Sequence, residues 1–328
     1  MNVTVAGLLV VILSLFMTPL SILAEAVDRS GEPIQPIPLQ VDVDPRIVKL
    51  GERLFNDARL SGDNSISCAH CHSLDLGGAD AIKHSFGVEG REGPINSPTV
   101  FNSGLSFVQF WDGRAATLED QVDGPVQAGK EMDSKWLDVI RKLSADVSYS
   151  REFKSIYKSG VTREGIKNAI AEFERSLITP NGRFDRYLRG EESAITTDEK
   201  RGYQIFKEYG CVSCHQGASV GGNMYQTFGV MGDYFKDRGN ITKVDQGRFN
   251  VTGKEEDRHL FKVPSLRVVT LTSPYFHDGS TEKLEDAIKV MAKYQLGREI
   301  PKQDIELIVK FLHTLPGQYK GASLERSH

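Results

Sequence analysis

Two copies of the pattern Cys-x-x-Cys-His are the part of this chain whose residue types and spacing imply the most definite chemistry. They use all four cysteines, and a histidine follows each pair: Cys68, Cys71 and His72 in the first copy, and Cys211, Cys214 and His215 in the second. Two thiols at this spacing can reach the two vinyl groups of one porphyrin, and the next histidine then lies beneath the iron as an axial ligand. The motifs therefore predict two covalently bound haem c groups and iron redox chemistry.

Zinc binding and redox-active disulfides are the alternative uses of cysteine pairs spaced in this way. A disulfide framework does not require a histidine after each pair, and a cytosolic zinc protein does not require the export signal described next. The haem interpretation accounts for both features.

The first 26 residues are predicted to be a secretory signal. Residues 6–17 are apolar, and Ala24–Ala26 offers a small-residue cleavage site before Val27. An uncleaved membrane anchor is the alternative, because no Lys or Arg precedes Arg29, but the apolar run is short for a span of about 20 residues. Export together with covalent haem predicts a bacterial periplasmic protein.

Length and charge narrow the class of protein further. The chain has 328 residues, enough for two domains of about 100–150 residues each. Its formal net charge is −4, so no basic excess is present to attract nucleic acid. We therefore expect two haem domains and no nucleic-acid partner.

Helical spacing of apolar residues predicts an all-α fold. A short repeat precedes each motif, Gly51–Phe55 before the first and Gly202–Phe206 before the second. Apolar residues recur at helical spacing near the end of each half: Ile166, Ile170, Phe173 and Leu177, and Ile305, Ile308, Leu312 and Leu315. We expect two cytochrome c-like haem domains, in each of which the first helix packs on the last. Residues 73–110 and 216–275, rich in Gly, Ser and Asn, are expected to form long loops around the haems.

The domain boundaries follow from proline and turn signals. Prolines make residues 27–45 an extended lead-in, which is expected to lie outside the core. A turn signal at residues 179–182 predicts a division near residue 185. The N-terminal haem domain is then 46–185 and the C-terminal haem domain 186–328.

A haem that reacts with peroxide needs an open axial position and an acid–base group beside it, whereas a haem that only carries electrons has both positions filled. Residues 107–132 contain suitable side chains. Glu131 is able to move a proton between the two oxygens of hydrogen peroxide, Gln121 is able to hydrogen-bond to it, and Trp111 lies nearby in sequence. The plain alternatives are a solvated carboxylate, a surface amide and a core aromatic ring.

The second haem suits methionine as its other axial ligand, because His/Met ligation raises the reduction potential. Met224, Met231 and Met291 follow His215 in the chain. The alternative for each is a flexible core side chain.

Several segments resemble, in the right order, the bacterial di-haem cytochrome c peroxidases, a family that includes the di-haem enzyme of methylamine utilisation. The resemblance spans roughly residues 45–316. The segments that carry it are 60–68 (LSGDNSISC), 96–102 (NSPTVFN), 109–115 (QFWDGRA), 124–126 (GPV) with 131–132 (EM), and 274–280 (PYFHDGS).

The resemblance implies a division of labour between the haems. It makes the haem on His72 the peroxidatic one and the haem on His215 the electron donor, with Met291 as its distal ligand. It implies that Trp111 lies between the haems as an electron relay. It also implies that Gln121 and Glu131 line the peroxide pocket.

The resemblance further implies a Ca²⁺ ion and protein partners. The ion would be held by Asn96 and by backbone carbonyls at Thr272 and Pro274, and such oxygen donors suit calcium. The expected electron donor is a small periplasmic cytochrome c or a cupredoxin. The expected assembly is a homodimer.

One departure from the family pattern bears on the first haem. Many members have a loop histidine that blocks the peroxidatic iron until the other haem is reduced, and the corresponding residue here is Val88. Valine cannot ligate iron, so we expect the first haem to be open without reductive activation. The alternative is that His84, four residues earlier, caps the iron.

The expected activity is reduction of hydrogen peroxide to water. One alternative is oxidation of a partner protein's side chains, as in the methylamine-utilisation branch. In that branch a tyrosine replaces the methionine ligand of the second haem. Met291 argues against this alternative, and Tyr294 keeps it open. Another alternative is a non-catalytic di-haem electron carrier.

Overall fold

The backbone consists mainly of helices joined by long irregular segments, and its strands are short. The computed structural model describes Met1 and residues 29–325, so the predicted signal lies, apart from Met1, outside the described residues. The helices are α1 (Pro45–Phe55), α2 (Cys68–Cys71), α3 (Leu118–Gln127), α4 (Trp136–Ser144), α5 (Val147–Ile156), α6 (Arg163–Ser176), α7 (Arg183–Leu188), α8 (Thr197–Glu208), α9 (Tyr234–Arg238), α10 (Phe249–Thr252), α11 (Leu284–Leu296) and α12 (Lys302–Leu312). The strands form two antiparallel pairs, β1 (Tyr225–Thr227) with β2 (Leu260–Lys262), and β3 (Gln318–Tyr319) with β4 (Ala322–Ser323). Of the helices within residues 29–325, none combines the length and the apolar composition of a membrane span.

The first hydrophobic core is organised by the crossing of α1 and α6. The helices approach so closely at Gly51 that a Cβ there would lie 1.9 Å from the carbonyl oxygen of Ala169. Phe55 and Phe173 meet edge to face beside this crossing, with ring centroids 5.2 Å apart. The first helix of this half thus packs directly on its last helix.

The second hydrophobic core repeats the same arrangement with α8 and α12. A Cβ at Gly202 would lie 2.0 Å from the carbonyl oxygen of Leu307. Phe206 packs on Phe311 with a centroid separation of 5.3 Å. The repeat of a glycine and a phenylalanine before each motif therefore corresponds to two equivalent helix crossings.

The N-terminal arm, residues 29–40, packs on the second core. It is irregular, as expected, but Ile34 and Ile37 are fully buried, and Ile34 belongs to the second core. The Gly217 N–H donates to the Pro33 carbonyl (2.8 Å), which joins the arm to the loop after the second motif. The prediction that residues 27–45 lie outside the core is therefore wrong for the two isoleucines, because an irregular segment that runs along a neighbouring core still gains from burying its apolar side chains.

The C-terminal end of the described chain packs on the first core, whereas the N-terminal arm packs on the second. Tyr319 on β3 and Leu324 pack against the first core, and the Tyr319 ring meets Phe101 with centroids 5.2 Å apart. Between the two cores, α7 contributes Phe184 and Leu188 to the second. The predicted division at residue 185 thus falls inside α7, and the change from one core to the other lies before Arg183.

Candidate haem centres

The first Cys-x-x-Cys-His motif forms the short helix α2 and the residue that ends it. The His72 N–H donates to the Cys68 carbonyl (3.0 Å), and the ring Nδ1–H donates to the Gly78 carbonyl (3.3 Å). Burial lowers the pKa of His72, which favours the neutral ring. A neutral imidazole whose Nδ1–H is held in this way presents Nε2 to a metal.

The second motif has the same local geometry on a 3₁₀ turn, Cys211–Ser213. The His215 N–H donates to the Cys211 carbonyl (3.0 Å), and its ring Nδ1–H donates to the Val220 carbonyl (3.3 Å). Burial lowers the pKa of His215 to about 4. Both histidines are therefore oriented by a hydrogen bond at Nδ1, and burial favours the neutral ring in each, as suits axial haem ligands.

The cysteines fit covalent haem attachment better than either alternative. All four are free thiols rather than disulfides. Burial raises the pKa of Cys71 to about 11 and that of Cys211 to about 12. Within residues 29–325 the side chains grouped closely enough to hold a metal ion are Asp245, His277 and Asp278, and no cysteine is among them.

Glu131 lies beside the first motif. Its charge contributes, after burial and the charge of Asp80, to the raised pKa of Cys71, so its carboxyl group is near that thiol. Burial raises the pKa of Glu131 itself, and the positive charge of Arg114 acts in the opposite direction. A partly buried carboxylate whose pKa lies above its usual range is a better proton acceptor than an exposed one, which suits a general acid–base role.

The helix α3 and the turn after it position the other residues of this pocket. Thr117 caps α3 by accepting a hydrogen bond from the Asp120 N–H (3.1 Å). Gln121 is half-buried on this helix. Pro125 lies inside the helix, and its carbonyl accepts the Met132 N–H (3.1 Å), which folds the Glu131 turn back onto α3. The structure thus places Gln121 and Glu131 on one continuous helix–turn unit.

Trp111 is half-buried at the contact between the two halves of the chain. Its indole Nε1–H donates to the Asn96 carbonyl (2.9 Å), and its own carbonyl accepts the Lys262 N–H of β2 (2.8 Å). It packs against a third apolar cluster: Tyr234, Phe235, Phe261 and Tyr294. A residue of the N-terminal half therefore packs against rings of the C-terminal half.

The candidate methionines differ in exposure. Met231 is 60% exposed, whereas Met224 and Met291 are half-buried, Met291 on α11. Tyr294, one turn further along α11, is buried and donates its hydroxyl hydrogen bond to Asp237 (2.9 Å). The phenol group of Tyr294 thus has a carboxylate as its hydrogen-bond partner.

The predicted calcium ligands lie on segments that the structure brings together. The Asn96 N–H donates to the His277 carbonyl (2.8 Å), and its side-chain Nδ2 donates to the Ile82 carbonyl (2.9 Å). Thr272 lies against Gly77, where a Cβ would be 3.3 Å from its methyl group. The segment that contains Thr272 and Pro274 therefore adjoins two segments of the N-terminal half, one of which contains Asn96.

The loop after the first motif packs against the first core. Val88 is 2% exposed, lies in the first core and donates its N–H to the Glu131 carbonyl (2.8 Å). The His84 Nδ1–H donates to Glu92 (2.8 Å), and its Nε2 is buried without a hydrogen-bond partner among the described residues. Val88 thus fills space in the protein core, and His84 is the loop residue with a free ligating nitrogen.

Glu174 and Lys262 are among the ionisable residues that sequence reasoning missed. Glu174 occupies an apolar-face position of α6, and burial raises its pKa to about 8. Its place among Ile170, Phe173 and Leu177 was a usable signal. Lys262 follows Phe261 on β2, and burial lowers its pKa to about 8; nothing in the sequence around it indicates this.

A mostly helical chain with two Cys-x-x-Cys-His motifs, each with its histidine half-buried and oriented by a hydrogen bond, has the features of a di-haem c-type cytochrome. A family model described as di-haem cytochrome c peroxidase matches residues 45–193. The cytochrome c peroxidase Ccp of Escherichia coli K12 is 49% identical over 90% of this chain and 63% of its own length, so the chain spans less than two thirds of that relative. The cytochrome c551 peroxidase of Nitrosomonas europaea is 45% identical over 88% of this chain and 85% of its own.

Solved structures agree with this assignment. A MauG-like protein associated with microbial copper homeostasis superposes with a TM-score of 0.75 at 27% identity, covering 86% of this chain and 93% of the other. The diheme peroxidase BthA of Burkholderia thailandensis superposes with a TM-score of 0.71 at 19% identity, covering 84% and 86%, and shows the fold alone. The chain belongs to the di-haem cytochrome c peroxidase family, and the predictions of the family and of an all-α haem fold are confirmed.

Proposed function

We propose that this protein reduces hydrogen peroxide to water at the first haem, using two electrons that enter one at a time through the second. The observation that carries the proposal is the buried carboxyl of Glu131, close to Cys71 of the first motif and opposed by the charge of Arg114. His72 would hold the first haem, and His215 with Met291 the second. The haems, when bound, supply the redox chemistry at oxygen and store the electrons.

The residues of the pocket provide the proton transfers. Glu131 accepts a proton from one oxygen of hydrogen peroxide and returns it to the other, from which water leaves. Gln121 holds the peroxide by a hydrogen bond. Trp111 provides an aromatic path between the haems, and its indole orientation is held by Asn96.

The setting of the reaction follows from the same family membership and from the exported character of the sequence. We expect a periplasmic protein that takes electrons from a small cytochrome c or a cupredoxin and forms a homodimer. A Ca²⁺ ion held by Asn96 and the carbonyls of Thr272 and Pro274 would connect the two halves. Removing it with a chelator is expected to slow turnover reversibly, and calcium content before and after chelation is the measurement.

The test of the catalytic role is peroxide-dependent oxidation of a reduced small cytochrome c by the holoprotein. Glu131→Gln keeps the size of the side chain but removes the base, and is expected to lower kcat by about 10²-fold or more. Glu164→Gln changes an exposed carboxylate on α6 and should leave kcat unchanged. A non-catalytic electron carrier would show no turnover in the wild type, and an unchanged rate in Glu131→Gln would remove Glu131 from the mechanism.

The state of the first haem has a separate test. Because Val88 is held in the core, the oxidised holoprotein is expected to show one high-spin and one low-spin signal in electron paramagnetic resonance, and to react with peroxide without prior reduction. Two low-spin signals, with turnover only after partial reduction, would mean that a side chain caps the iron. His84→Ala would then identify His84 as the cap by restoring the high-spin signal.

A further inference from the structure

The contact that holds Trp111 leads to a buried histidine that has no role in the reaction described so far. The Trp111 indole N–H donates to the carbonyl of Asn96 (2.9 Å), and the N–H of Asn96 donates to the carbonyl of His277 (2.8 Å). The orientation of the indole therefore depends, through one residue, on where the backbone of His277 lies.

The side chain of His277 also touches Trp111 directly. Its ring meets the indole edge to face, with centroids 6.4 Å apart and an interplanar angle of 71°. The opposite side of the imidazole packs on Phe261 (4.6 Å) and Phe235 (6.0 Å). His277 thus restrains Trp111 both through the backbone hydrogen bonds and through the ring contact.

A buried ionic network fixes the imidazole of His277. Its Nε2–H donates to Asp245 (2.7 Å), and the two side chains are 2% and 1% exposed. Asp245 also accepts hydrogen bonds from the guanidinium of Arg238 (2.7 Å) and from the backbone N–H of Thr242 (2.6 Å). Burial alone would raise the pKa of Asp245, but the hydrogen bonds from His277, Arg238 and Thr242 hold it well below its usual range.

The same residues could be taken for a metal site, because Asp245, His277 and Asp278 lie within 4.8 Å of one another. However, Arg238 forms ion pairs with both carboxylates. The positive charge that a metal ion would supply is therefore already supplied by a guanidinium, which is an always-charged, multiple hydrogen-bond donor. The network is complete without an ion, and its rigidity favours a positioning role.

We propose that His277, anchored by Asp245 and Arg238, is a positioning residue for Trp111 and thereby sets the rate of electron transfer between the haems. This inference rests on the proposed function for its use in catalysis. It does not rest on it for the test, since electron transfer between two haems can be followed without peroxide. Electron transfer through an intervening ring depends on the distance and orientation of that ring relative to both haems, so a displaced indole is expected to slow the transfer.

The experiment uses photochemical partial reduction of the oxidised holoprotein and records the relaxation of electrons between the two haems. His277→Gln keeps an amide N–H donor for Asp245 and is expected to relax at a rate close to that of the wild type. His277→Leu loses the donor and the ring contact and is expected to relax about 10-fold more slowly or worse. The reduction potentials of both haems and the rate of the peroxide step are expected to remain unchanged in both variants.

Tyr294→Phe is the matched control. It removes a hydrogen bond to Asp237 from the same aromatic cluster but leaves the chain from Trp111 through Asn96 to His277 intact. Its relaxation rate is expected to equal that of the wild type. Equal relaxation rates in His277→Leu and the wild type would overturn the proposal. Equal slowing in all three variants would also overturn it, because it would indicate general loosening of the cluster.

A second variant covers the case in which His277→Leu does not fold. Arg238→Gln keeps His277 and Asp245 but removes the cation that holds them, and is expected to slow the relaxation by a smaller factor. An unchanged rate in a folded Arg238→Gln protein would also count against the proposal. If the wild type relaxes normally but does not turn over peroxide, the proposed function fails and the positioning role stands.

Discussion

Arg114 and Glu131 form the pair of residues in the proposed pocket whose electrostatics predict a pH effect. Glu131 must be ionised to accept a proton, so activity is lost as the pH falls through its pKa. Burial raises that pKa and Arg114 lowers it. Arg114→Met is therefore expected to raise the pKa of Glu131 and to move the acid limb of the kcat/KM profile to higher pH, with the shift larger at low ionic strength.

Two variants control for other effects of this change. Arg114 also pairs with Asp112 (3.0 Å) and stacks on Phe110 (3.5 Å), and Arg114→Lys keeps the charge while altering that stacking. Arg141→Met removes an exposed charge on α4 that pairs with Asp138 and is not among the causes of the pKa shift of Glu131. Both should leave the acid limb in place. A limb that does not move in Arg114→Met would mean that a group other than Glu131 controls it.

Residues differ in how readily the sequence reveals them. Both haem motifs could be found because porphyrin attachment dictates two cysteines and a histidine at fixed spacing. Glu131, Gln121 and Trp111 were candidates from their residue types, but only the resemblance favoured them, because such residues are common on any surface or in any core. His277 also lies in a segment that carries the resemblance, residues 274–280. Its hydrogen bond to Asp245 could not be predicted, because the two residues are 32 positions apart in an irregular region.

At the scale of secondary-structure elements, the loop after the first motif approaches the Glu131 turn at Gly87. A Cβ there would lie 2.2 Å from the Lys130 carbonyl oxygen and 2.5 Å from that of Glu131. Gly87→Ala is therefore expected to push the Glu131 turn away and to lower kcat/KM for peroxide by about 10-fold or more. Gly93→Ala, whose nearest atom is the Ser85 carbonyl oxygen at 3.3 Å, is the matched control and should stay near the wild-type value. Equal values in the two variants would show that this contact does not position Glu131.

The paired helix crossings give a second prediction at this scale. Alanine is a better helix former than glycine by about 1 kcal/mol. At Gly51 and Gly202, however, the new methyl group would lie 1.9 Å and 2.0 Å from a backbone carbonyl oxygen, which forces the helices apart. Overpacking of this kind costs about 1–3 kcal/mol or more and exceeds the propensity gain. Gly51→Ala and Gly202→Ala are expected to lower the free energy of unfolding in denaturant titrations, and a stabilised variant would contradict the crossing geometry.

The helices themselves were predictable because an apolar stripe at helical spacing requires a partner surface. The repeat around Gly51 and Gly202 indicated that the two halves are alike. The irregular regions were predictable only as loops. The pairing of β1 with β2 and the 3₁₀ turn at the second motif depend on contacts between distant segments, which no local pattern encodes.

At the scale of the whole molecule, each end of the chain packs on the core of the opposite half. The arm at residues 29–40 reaches the second core through Ile34, and the C-terminal hairpin reaches the first through Tyr319. The fully buried side chain of Arg267 connects the arm to the loop after the second motif. Its guanidinium donates to the carbonyl of Gln35 in the arm (2.7 Å) and to the carbonyl of Ala218 in the loop (2.6 Å). It also donates to the carboxylate of Asp185 on α7 (2.8 Å). The arm and the C-terminal hairpin therefore connect the two halves through their packing contacts.

This coupling predicts how the holoprotein unfolds. The wild type is expected to give a single calorimetric transition. Ile34 is fully buried, so Ile34→Asp places an unpaired carboxylate in the second core and is expected to destabilise that half by about 3–5 kcal/mol. The arm then detaches, and the second half should melt in a separate transition at lower temperature. Leu39→Asp, at a site 61% exposed on the same arm, should change stability by less than about 0.5 kcal/mol and keep the single transition. A single, unshifted transition in Ile34→Asp would mean that the arm does not couple the two halves.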